Sequence, residues 1–402
     1  LSHKFYNMKK VLTFVSALLC IACISCYNPQ KTKEHKMEER GNPLPEWALG
    51  GFERPKGVNP VIVPLTDTKF YCPMQKKEIN WEESDTFNPA AIVKGDKIYV
   101  LYRAEDNSGV GIGKRTSRIG LAESPDGITM KRRTTPVMFP GEDSMKKYEW
   151  PGGCEDPRIV MTEEGLYVMA YTSWNRDKPR LCIATSEDLI TWEKHGPAFE
   201  EAYQGRFLDM PCKSGSIVTE IKGGKQVITK IGDLYFMYWG EHQVCAATSD
   251  NLLDWKPLLD EKGDLKAVIK PRNGYFDSAL TECGPPAIKT DKGILLLYNG
   301  KNQTDDKMRD PRFNAGTYSA GQVLMDLEDP MKAIARLDVP FFRPIEDFEK
   351  SGQYIDGTVF IEGLAFFKGK WYLYYGCADS QVSVAIYDPT KNIDGDVLPE
   401  LN

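Results

Sequence analysis

The stretch Trp150–Arg158 concentrates residue types that could do chemistry. Two carboxylates, Glu155 and Asp156, and the guanidinium of Arg158 follow a pair of glycines and precede an apolar segment. Pro157 disfavours the helical region for Asp156, so we expect an extended backbone on which Asp156 and Arg158 point the same way. Taken alone, this motif is most simply a surface ion pair beside a turn, and the rest of the chain is needed to decide.

Two further carboxylates, Glu241 and Glu282, occur at matching places later in the chain. Carboxylates around a sugar-sized cavity are what glycosidic bond cleavage requires. One acid protonates the leaving oxygen, and in an inverting enzyme a second carboxylate, about 6.5–9.5 Å away, activates water. We therefore predict Asp156, Glu241 and Glu282 as candidate catalytic residues. Arg158 would lower the pKa of Asp156, so it must turn toward Glu155 or the substrate, or the proton must travel indirectly.

A unit that repeats five times from Phe87 onward must position these residues. Each copy has an apolar stretch, a tight turn, a Tyr-rich strand and a third strand that ends in a polar turn, a pattern typical of antiparallel hairpins. The central turns lie roughly 60–80 residues apart, a longer period than the roughly 40–50 residues of common propeller repeats. They are predicted at residues 94–96, 163–165, 231–233, 291–293 and 368–370.

The fold class predicted by this repeat is all-β. Five sheet units around an axis make a five-bladed β-propeller, which leaves only short, protected edges. A β-sandwich is the alternative, but it does not explain five similar units. Because adjacent strands are antiparallel, the start of the first and the end of the second meet at one end, and we predict that these positions line one mouth. The positions are Asn88, Asp156, Lys213 and Glu282 at strand starts and Arg103, Trp174, Glu241, Asn299 and Asp379 at strand ends.

Composition bounds the class of protein. The 402 residues are 41% apolar and 27% charged, which is typical of a globular protein with ample core material. The net charge of −6 argues against a nucleic-acid partner, because proteins that bind nucleic acid usually carry a basic patch. Three of the ten cysteines lie in an apolar N-terminal run and seven are scattered, so we predict neither a metal site nor a complete disulfide framework. No motif indicates a cofactor.

The first 43 residues are predicted to be a targeting region. Met8, the expected start, precedes two lysines and an apolar run, so residues 1–26 are predicted as a signal peptide. The run resembles a bacterial lipoprotein signal with Cys26, or alternatively Cys23, as the lipidated residue. That resemblance implies an exported, lipid-anchored protein in the periplasm or outer membrane of a Gram-negative bacterium. Residues 27–43 are polar and predict a tether, which leaves residues 44–402 as the catalytic domain.

The region from Phe87 to Pro389 resembles glycoside hydrolase family 130, the β-mannoside phosphorylases and β-mannosidases. The motifs that carry the resemblance are Phe87-Asn88-Pro89, Leu101-Tyr102-Arg103, Leu121–Ile128, Gly153–Ile159, Gly284-Pro285-Pro286 and Tyr375–Asp379. The resemblance implies a five-bladed propeller, with Asp156 as a proton donor that acts through a hydroxyl of the mannose. It also implies that Asn88, Arg103 and Asp379 hold the terminal mannose. Further candidate substrate-binding residues are Glu155, Arg158, Lys213 and Asn299.

Two segments depart from the phosphorylases of that family, which carry phosphate-holding cations there. This chain has Glu241 after Tyr238-Trp239-Gly240, and Tyr298-Asn299-Gly300 in place of a Tyr-His-Gly segment. A carboxylate 4 Å from a phosphate oxyanion repels it by about 4 kcal/mol at an effective dielectric of about 20, so phosphate is not expected as the nucleophile. The hydrolytic branch, which is similar to β-1,2-mannosidases, has glutamates in these regions. Glu241 or Glu282 would then activate water, or else bind sugar hydroxyls.

The resulting hypothesis is an exo-acting, inverting β-mannosidase that hydrolyses β-1,2-linked mannosides. One alternative is a β-mannoside phosphorylase that releases mannose 1-phosphate, and another is a catalytically inactive glycan-binding lipoprotein. A Ser-His-Asp hydrolase is poorly supported, because His195 and His242 are the histidines of the repeat region and neither has an obvious nucleophile beside it. Membrane contact is expected through the lipid anchor alone, and the sequence indicates no oligomeric state.

Overall fold

The computed structural model describes residues 44–390. The signal peptide, the lipidation site and the tether predicted for residues 1–43 lie outside the described residues. Strands dominate the described chain, which also has one four-residue helix, α1 (Lys146–Glu149), and one 3-10 turn (Asp347–Glu349). Within residues 44–390, no helix has both the length and the apolar character needed to cross a membrane. The described chain is therefore nearly all-β, as predicted.

After an opening hairpin, the strands of the described chain form four sheets of eight, six, seven and three strands. The eight-stranded sheet consists of two antiparallel groups joined by a parallel contact between Ser117 and Gly153, which gives five antiparallel groups in all. The hairpin is β1 (Lys69–Cys72) and β2 (Lys77–Asn80). The first group is β3 (Asp85–Lys94), β4 (Lys97–Glu105), β5 (Ser117–Ser124) and β6 (Lys131–Arg132). The second group is β7 (Gly153–Met161), β8 (Tyr167–Trp174), β9 (Pro179–Ser186) and β10 (Glu193–Pro197).

The third group is interrupted in the chain by the hairpin β12–β13, which belongs to the sheet of the fourth group. In chain order the strands of this stretch are β11 (Gly215–Ile217), β12 (Thr219–Lys222), β13 (Lys225–Ile228), β14 (Lys230–Ile231), β15 (Leu234–Trp239), β16 (Val244–Ser249), β17 (Lys256–Pro257) and β18 (Ala267–Ile269). The fourth group is β19 (Leu280–Cys283), β20 (Ile288–Lys289), β21 (Ile294–Lys301), β22 (Tyr318–Met325) and β23 (Ala333–Arg336). The fifth group is β24 (Val359–Phe367), β25 (Lys370–Cys377) and β26 (Gln381–Tyr387).

Tight turns join strands in each group at the places that the sequence predicts. Gly95 and Gly369 adopt φ values of 62° and 79° in two of these turns, a region that glycine enters without steric cost. The hairpin β12–β13 was not predicted. It pairs with β20 of the fourth group through a parallel contact between Thr219 and Ile288.

Residues 53–62, near the start of the described chain, run along its last strand, β26. Glu53 and Ile62 form antiparallel bridges to β26. The side chain of Asn59 accepts a hydrogen bond from Val384 N at 2.9 Å and donates one to Val384 O at 2.8 Å. An otherwise open strand edge of the fifth group is thereby covered, which protects it from pairing with other chains.

A buried tyrosine in the strand after each tight turn has a recurring partner. In four groups its hydroxyl donates to a carboxylate, at 2.7–2.9 Å, and that carboxylate also pairs with a cation. The sets are Tyr102–Glu82–Arg132, Tyr171–Glu149–Lys194, Tyr298–Asp277–Arg336 and Tyr375–Glu349–Arg54. In the third group Tyr238 donates to the carbonyl of Pro330 instead. Pairing and hydrogen bonding offset the cost of burying these carboxylates.

Hydrophobic clusters lie between neighbouring groups. Val168 of the second group packs with Trp239 of the third, and Ile98 of the first packs with Tyr374 of the fifth. Seven cysteines of the described chain are buried and free, so they act as small apolar core residues. Since strand residues alternate in direction, the residue after each buried tyrosine points to the opposite face, which is how β4 presents Arg103.

Candidate active site

Two β-bulges aim polar side chains at one end of the strand groups. The register of β3 against β4 shifts at Asn88, and that of β7 against β8 shifts at Asp156. Asn88 has a φ of 46° and Asp156 a φ of 49°, both in the left-handed region. The extended backbone predicted for Asp156 is therefore wrong. Pro157 disfavours the right-handed helical region, but the bulge reorients Asp156 relative to Arg158.

The carboxylate of Asp156 is held from three sides. Asn88 Nδ2 donates to Asp156 Oδ1 at 2.9 Å, and Arg103 Nη1 donates to the same oxygen at 3.0 Å. Lys213 Nζ lies 3.9 Å from Oδ2. Burial alone would raise the pKa of Asp156, but Arg103, Lys213 and Asn88 lower it to about 2. The free site therefore holds Asp156 as a carboxylate at neutral pH.

Arg158 turns away from that carboxylate. Its guanidinium donates to the backbone carbonyls of Cys283 at 2.7 Å, Gly284 at 3.0 Å and Asp156 at 3.2 Å. Its Nη1 atom also lies 3.0 Å from Glu362 Oε1, and both side chains are buried. Arg158 thus joins the second strand group to the fourth and the fifth. This placement does not match the predicted contact between Arg158 and a substrate.

Arg103 gathers three carboxylates. Its guanidinium nitrogens lie 2.7 Å from Glu105 Oε1, 2.8 Å from Glu155 Oε1 and 3.0 Å from Asp156 Oδ1. Its Nε donates to Ser117 Oγ at 3.0 Å. Burial opposes the charge of Arg103, but Glu155, Glu105 and Asp156 raise its pKa well above the ordinary value. Burial raises the pKa of Glu155 to about 7 despite Arg103, and the charge of Asp156 adds to this rise.

Lys213 lies among the three carboxylates predicted to be catalytic. Its Nζ atom is 3.2 Å from Glu282 Oε1, 3.4 Å from Glu241 Oε1 and 3.9 Å from Asp156 Oδ2. Burial lowers the pKa of Lys213, but Glu282, Glu241 and Asp156 raise it well above its ordinary value.

The two glutamates beside Lys213 differ in exposure. The side chain of Glu241 is 32% exposed, whereas that of Glu282 is 1% exposed. Glu282 also accepts a hydrogen bond from Ser214. Burial raises the pKa of Glu282, an effect that Lys213 opposes. Glu241 is therefore the carboxylate that bulk water reaches most easily.

Asp379 belongs to the set of charged residues around Arg103 and Lys213, whereas Asn299 does not. Asp379 lies in the turn between β25 and β26 with a φ of 53°. Burial raises its pKa to about 7, Arg103 opposes this rise, and Asp156 reinforces it. Asn299 is fully buried, and its side-chain amide bonds with Ile361 N at 2.8 Å and Ile361 O at 3.1 Å. It joins β21 to β24, so the predicted substrate contact of Asn299 is not what the geometry shows.

Several charged residues that adjoin the Arg103 and Lys213 carboxylates were not predicted from the sequence. Asp85 pairs with Arg115, and burial raises the pKa of Asp85 to about 6. Arg115 Nη1 also lies 3.7 Å from Glu105 Oε2. Glu105 could have been found, since it lies two residues after Arg103 on one strand and so shares its face. Glu362 lies in an apolar strand, and nothing in its sequence context marked it.

Comparison with known proteins places the chain among carbohydrate-active enzymes. The profile of glycoside hydrolase family 130, described as "beta-1,4-mannooligosaccharide phosphorylase", matches residues 60–394. The 1,2-beta-oligomannan phosphorylase of Thermoanaerobacter sp. (strain X514) is 36% identical over 319 residues, which are 78% of this chain and 94% of the relative.

Solved structures agree with this match. A glycosyl hydrolase from Bacteroides ovatus is 62% identical, with 90% of this chain and 99% of that chain covered and a TM-score of 0.87. A second structure, also 62% identical with a TM-score of 0.87, covers 90% of this chain and 100% of its own. It is described with the words "The GH130 family of mannoside phosphorylases contains glycoside hydrolases that target beta-1,2 mannosidic linkages in Candida mannan". The chain belongs to glycoside hydrolase family 130.

Proposed function

We propose that this protein is an exo-acting, inverting β-mannosidase that hydrolyses β-1,2-linked mannosides. The single observation that carries the proposal is that Asp156, Glu241 and Glu282 share the ammonium group of Lys213. A candidate acid and two candidate bases therefore face the same small volume. The relatives described above, which act on or target β-1,2 mannosidic linkages by their names, supply the substrate class.

The spacing of these carboxylates is compatible with inversion. Asp156 Oδ2 and Glu241 Oε1 lie 3.9 and 3.4 Å from one nitrogen atom, so they are no farther apart than the sum of those distances. Glu282 Oε1 lies 3.2 Å from the same nitrogen, so its distance from Asp156 Oδ2 is limited in the same way. Inverting glycosidases separate their carboxyl groups by about 6.5–9.5 Å to admit a water molecule, and retaining ones by about 5–5.5 Å. Both upper limits admit either spacing, so inversion is proposed from the family resemblance.

In this proposal Asp156 is the proton donor, and Glu241 or Glu282 activates water. The low pKa of Asp156 in the free site, about 2, is unsuited to a donor. A sugar that enters between Asp156 and Lys213 would move the ammonium away and raise that pKa. Asn88, Arg103 and Asp379 hold the terminal mannose, with the proton passing through a sugar hydroxyl as the family resemblance implies.

The cations around these carboxylates support water rather than phosphate as the nucleophile, because each is already paired. Arg103 pairs with Glu105, Glu155 and Asp156, and Arg115 pairs with Asp85 and Glu105. Lys213 is shared by Asp156, Glu241 and Glu282. Phosphate at 4 Å from a further carboxylate would be repelled by about 4 kcal/mol at an effective dielectric of about 20.

Phosphorolysis is the second candidate, because the Thermoanaerobacter relative is named a phosphorylase. The test is to follow products from β-1,2-mannobiose with and without inorganic phosphate. Release of mannose at equal rates in both conditions supports hydrolysis. Formation of mannose 1-phosphate with a strict need for phosphate would contradict it. Asp156→Asn is the matched control, and its loss of turnover with retained mannoside binding would separate catalysis from a purely glycan-binding role.

We further propose that the five strand groups form a five-bladed β-propeller with this site at one end of its axis. The common antiparallel order of the groups and the pairing of residues 53–62 with β26 support that arrangement. The catalytic domain would then be residues 44–402. Export as a lipoprotein of a Gram-negative bacterium, through Cys23 or Cys26 and a tether at residues 27–43, is proposed from the sequence pattern alone.

A further inference from the structure

Aromatic and aliphatic side chains form a wall beside the carboxylates. This tyrosine wall consists of Leu280, Tyr318, Tyr354 and Phe360. Lys301 of β21 is paired with Leu280 of β19 on one side and with Tyr318 of β22 on the other. Glu282 lies two residues after Leu280 on β19. Because alternate strand residues share a face, Tyr318 lies on the same face as Glu282 and nearer the strand ends.

The rings of the wall pack edge to face around Tyr318. Its centroid lies 5.8 Å from that of Tyr354, with an interplanar angle of 81°, and 5.9 Å from that of Phe360, at 66°. Lys301 Nζ lies 4.9 Å from the centroid of Tyr318 and 5.5 Å from that of Tyr354. Tyr318 and Phe360 are buried, whereas Tyr354 is half-buried. Tyr354 is therefore the member that presents ring surface.

Backbone and side-chain hydrogen bonds attach Tyr354 to the turn that carries Asp379. Tyr354 N donates to Ala378 O at 3.2 Å. Gln353 Nε2 donates to Asp379 O at 2.8 Å, and Gln353 N donates to Ser380 Oγ at 3.2 Å. The position of the Tyr354 ring is consequently tied to that of the Asp379 carboxylate.

The hydroxyls of Tyr318 and Tyr354 in the wall lack the hydrogen-bond partners that the buried tyrosines of the strand groups have within the described residues. Within residues 44–390, neither Tyr318 nor Tyr354 uses its hydroxyl in a hydrogen bond, and neither hydroxyl is sealed from solvent. Burial raises the pKa of Tyr354, and the charge of Asp379 adds to this rise. A hydroxyl that is open to solvent bonds water in the free protein and is available to bond a sugar hydroxyl.

We propose that the tyrosine wall is a sugar-binding element, in which Tyr354 contacts the apolar face of the pyranose ring bound at Asp379 and its hydroxyl bonds a sugar hydroxyl. This inference rests on the proposed function, since it places a mannoside in the site. It identifies Tyr354 as a specificity determinant, because a flat ring wall favours a pyranoside over an open-chain polyol or a small anion.

The test measures binding without turnover, in an Asp156→Asn background, by calorimetric titration with β-1,2-mannobiose. Tyr354→Leu keeps an apolar side chain but removes the ring, and we expect the dissociation constant to rise about tenfold or more. Tyr354→Phe keeps the ring and removes the hydroxyl, and we expect a smaller rise. Tyr71→Leu, at a 60% exposed tyrosine of the opening hairpin, is the matched control and should leave the affinity unchanged.

An affinity of Tyr354→Leu within twofold of the parent, in a variant that melts at the parent's temperature, would overturn the inference. If Tyr354→Leu does not fold, the rise expected for Tyr354→Phe decides the matter, and no rise would overturn it equally. In the active protein, Tyr354→Phe should raise KM more than it lowers kcat, since the contact exists before the chemical step.

The outcome for the wall is separable from the outcome for the reaction. If the wild type requires phosphate while Tyr354→Leu still loses affinity for β-1,2-mannobiose, hydrolysis is rejected and the wall stands. If the wild type hydrolyses β-1,2-mannobiose while Tyr354→Leu binds like the parent, the wall is rejected and the function stands. If the parent binds no mannoside, both are rejected.

Discussion

Arg158 Nη1 lies 3.0 Å from Glu362 Oε1, with both side chains buried, and the same guanidinium donates to the carbonyls of Asp156 and Cys283. Cys283 directly follows Glu282, so one ion pair supports the backbone beside a candidate acid and a candidate base. The separation of Asp156 and Glu282 therefore depends on a pair that does not itself face the substrate.

Replacing Arg158 by methionine should strongly destabilise the fold. The change leaves Glu362 buried without a cation and removes the donor to three backbone carbonyls. Breaking a buried pair costs about 3–5 kcal/mol when the remaining group keeps its charge, and this is the upper bound here, because burial already raises the pKa of Glu362 well above its ordinary value and favours uptake of a proton. The free energy of unfolding in urea measures the loss. The double variant Arg158→Met/Glu362→Leu should recover part of it, because no unpaired buried carboxyl remains. A single variant as stable as the wild type would contradict this account of the pair.

Asp379 should make the stability of the free protein depend on pH. Burial raises the pKa of Asp379 to about 7 in the folded state. In the unfolded chain it is about 3.9. A raised carboxyl pKa contributes stability that is fully present below the unfolded pKa and is lost as pH rises through the folded value. The wild-type melting temperature should therefore fall between about pH 4 and 8 more than that of Asp379→Asn. Parallel curves would show that Asp379 does not titrate in this range.

Azide should identify the residue that activates water. Glu241→Ala and Glu282→Ala should each lower kcat by about 10²–10⁴-fold if the deleted carboxylate is the base. Azide needs no base, so it should restore turnover to that variant alone and yield a mannosyl azide of α configuration. Chromatography with NMR of the product makes the assignment. Rescue of neither variant would exclude both glutamates as the base.

A tyrosine–carboxylate set should contribute more to the free energy of unfolding than the tyrosine–carbonyl contact of the third strand group. Tyr171→Phe leaves an oxygen of buried Glu149 without its donor, which should cost about 1–3 kcal/mol. Tyr238→Phe is the matched control, since its hydroxyl meets the carbonyl of Pro330 rather than a carboxylate. We expect it to cost about 0.5–1.5 kcal/mol in chemical denaturation. Equal costs for the two variants would remove the distinction between these partners.

The repeat and its turns could be predicted because both are local. Alternation of apolar residues and the chemistry of short turns indicate hairpins, and Gly95 and Gly369 adopt the positive φ angles that such turns need. The common end of the strands followed from their antiparallel order, and Asp156, Glu241 and Glu282 do meet there around Lys213.

The rest depended on contacts between distant parts of the chain. The β-bulge at Asp156 arises from pairing with β8, so a local rule about the residue before proline predicted an extended backbone and the wrong direction relative to Arg158. Asn299 has the type of a ligand, but its position beside Ile361 makes it a sheet contact. Glu362 could be recognised only when the fold placed Arg158 against it.

The measurement that tests the central claim most directly is NMR of the first product formed from β-1,2-mannobiose in phosphate-free buffer. The account predicts an initial excess of α-mannose over the anomeric ratio of the substrate's reducing end, because the non-reducing mannose is released with inversion when water activated by Glu241 or Glu282 attacks the face opposite the leaving group. An initial excess of β-mannose over that ratio, or no product until phosphate is added and mannose 1-phosphate forms, would contradict it.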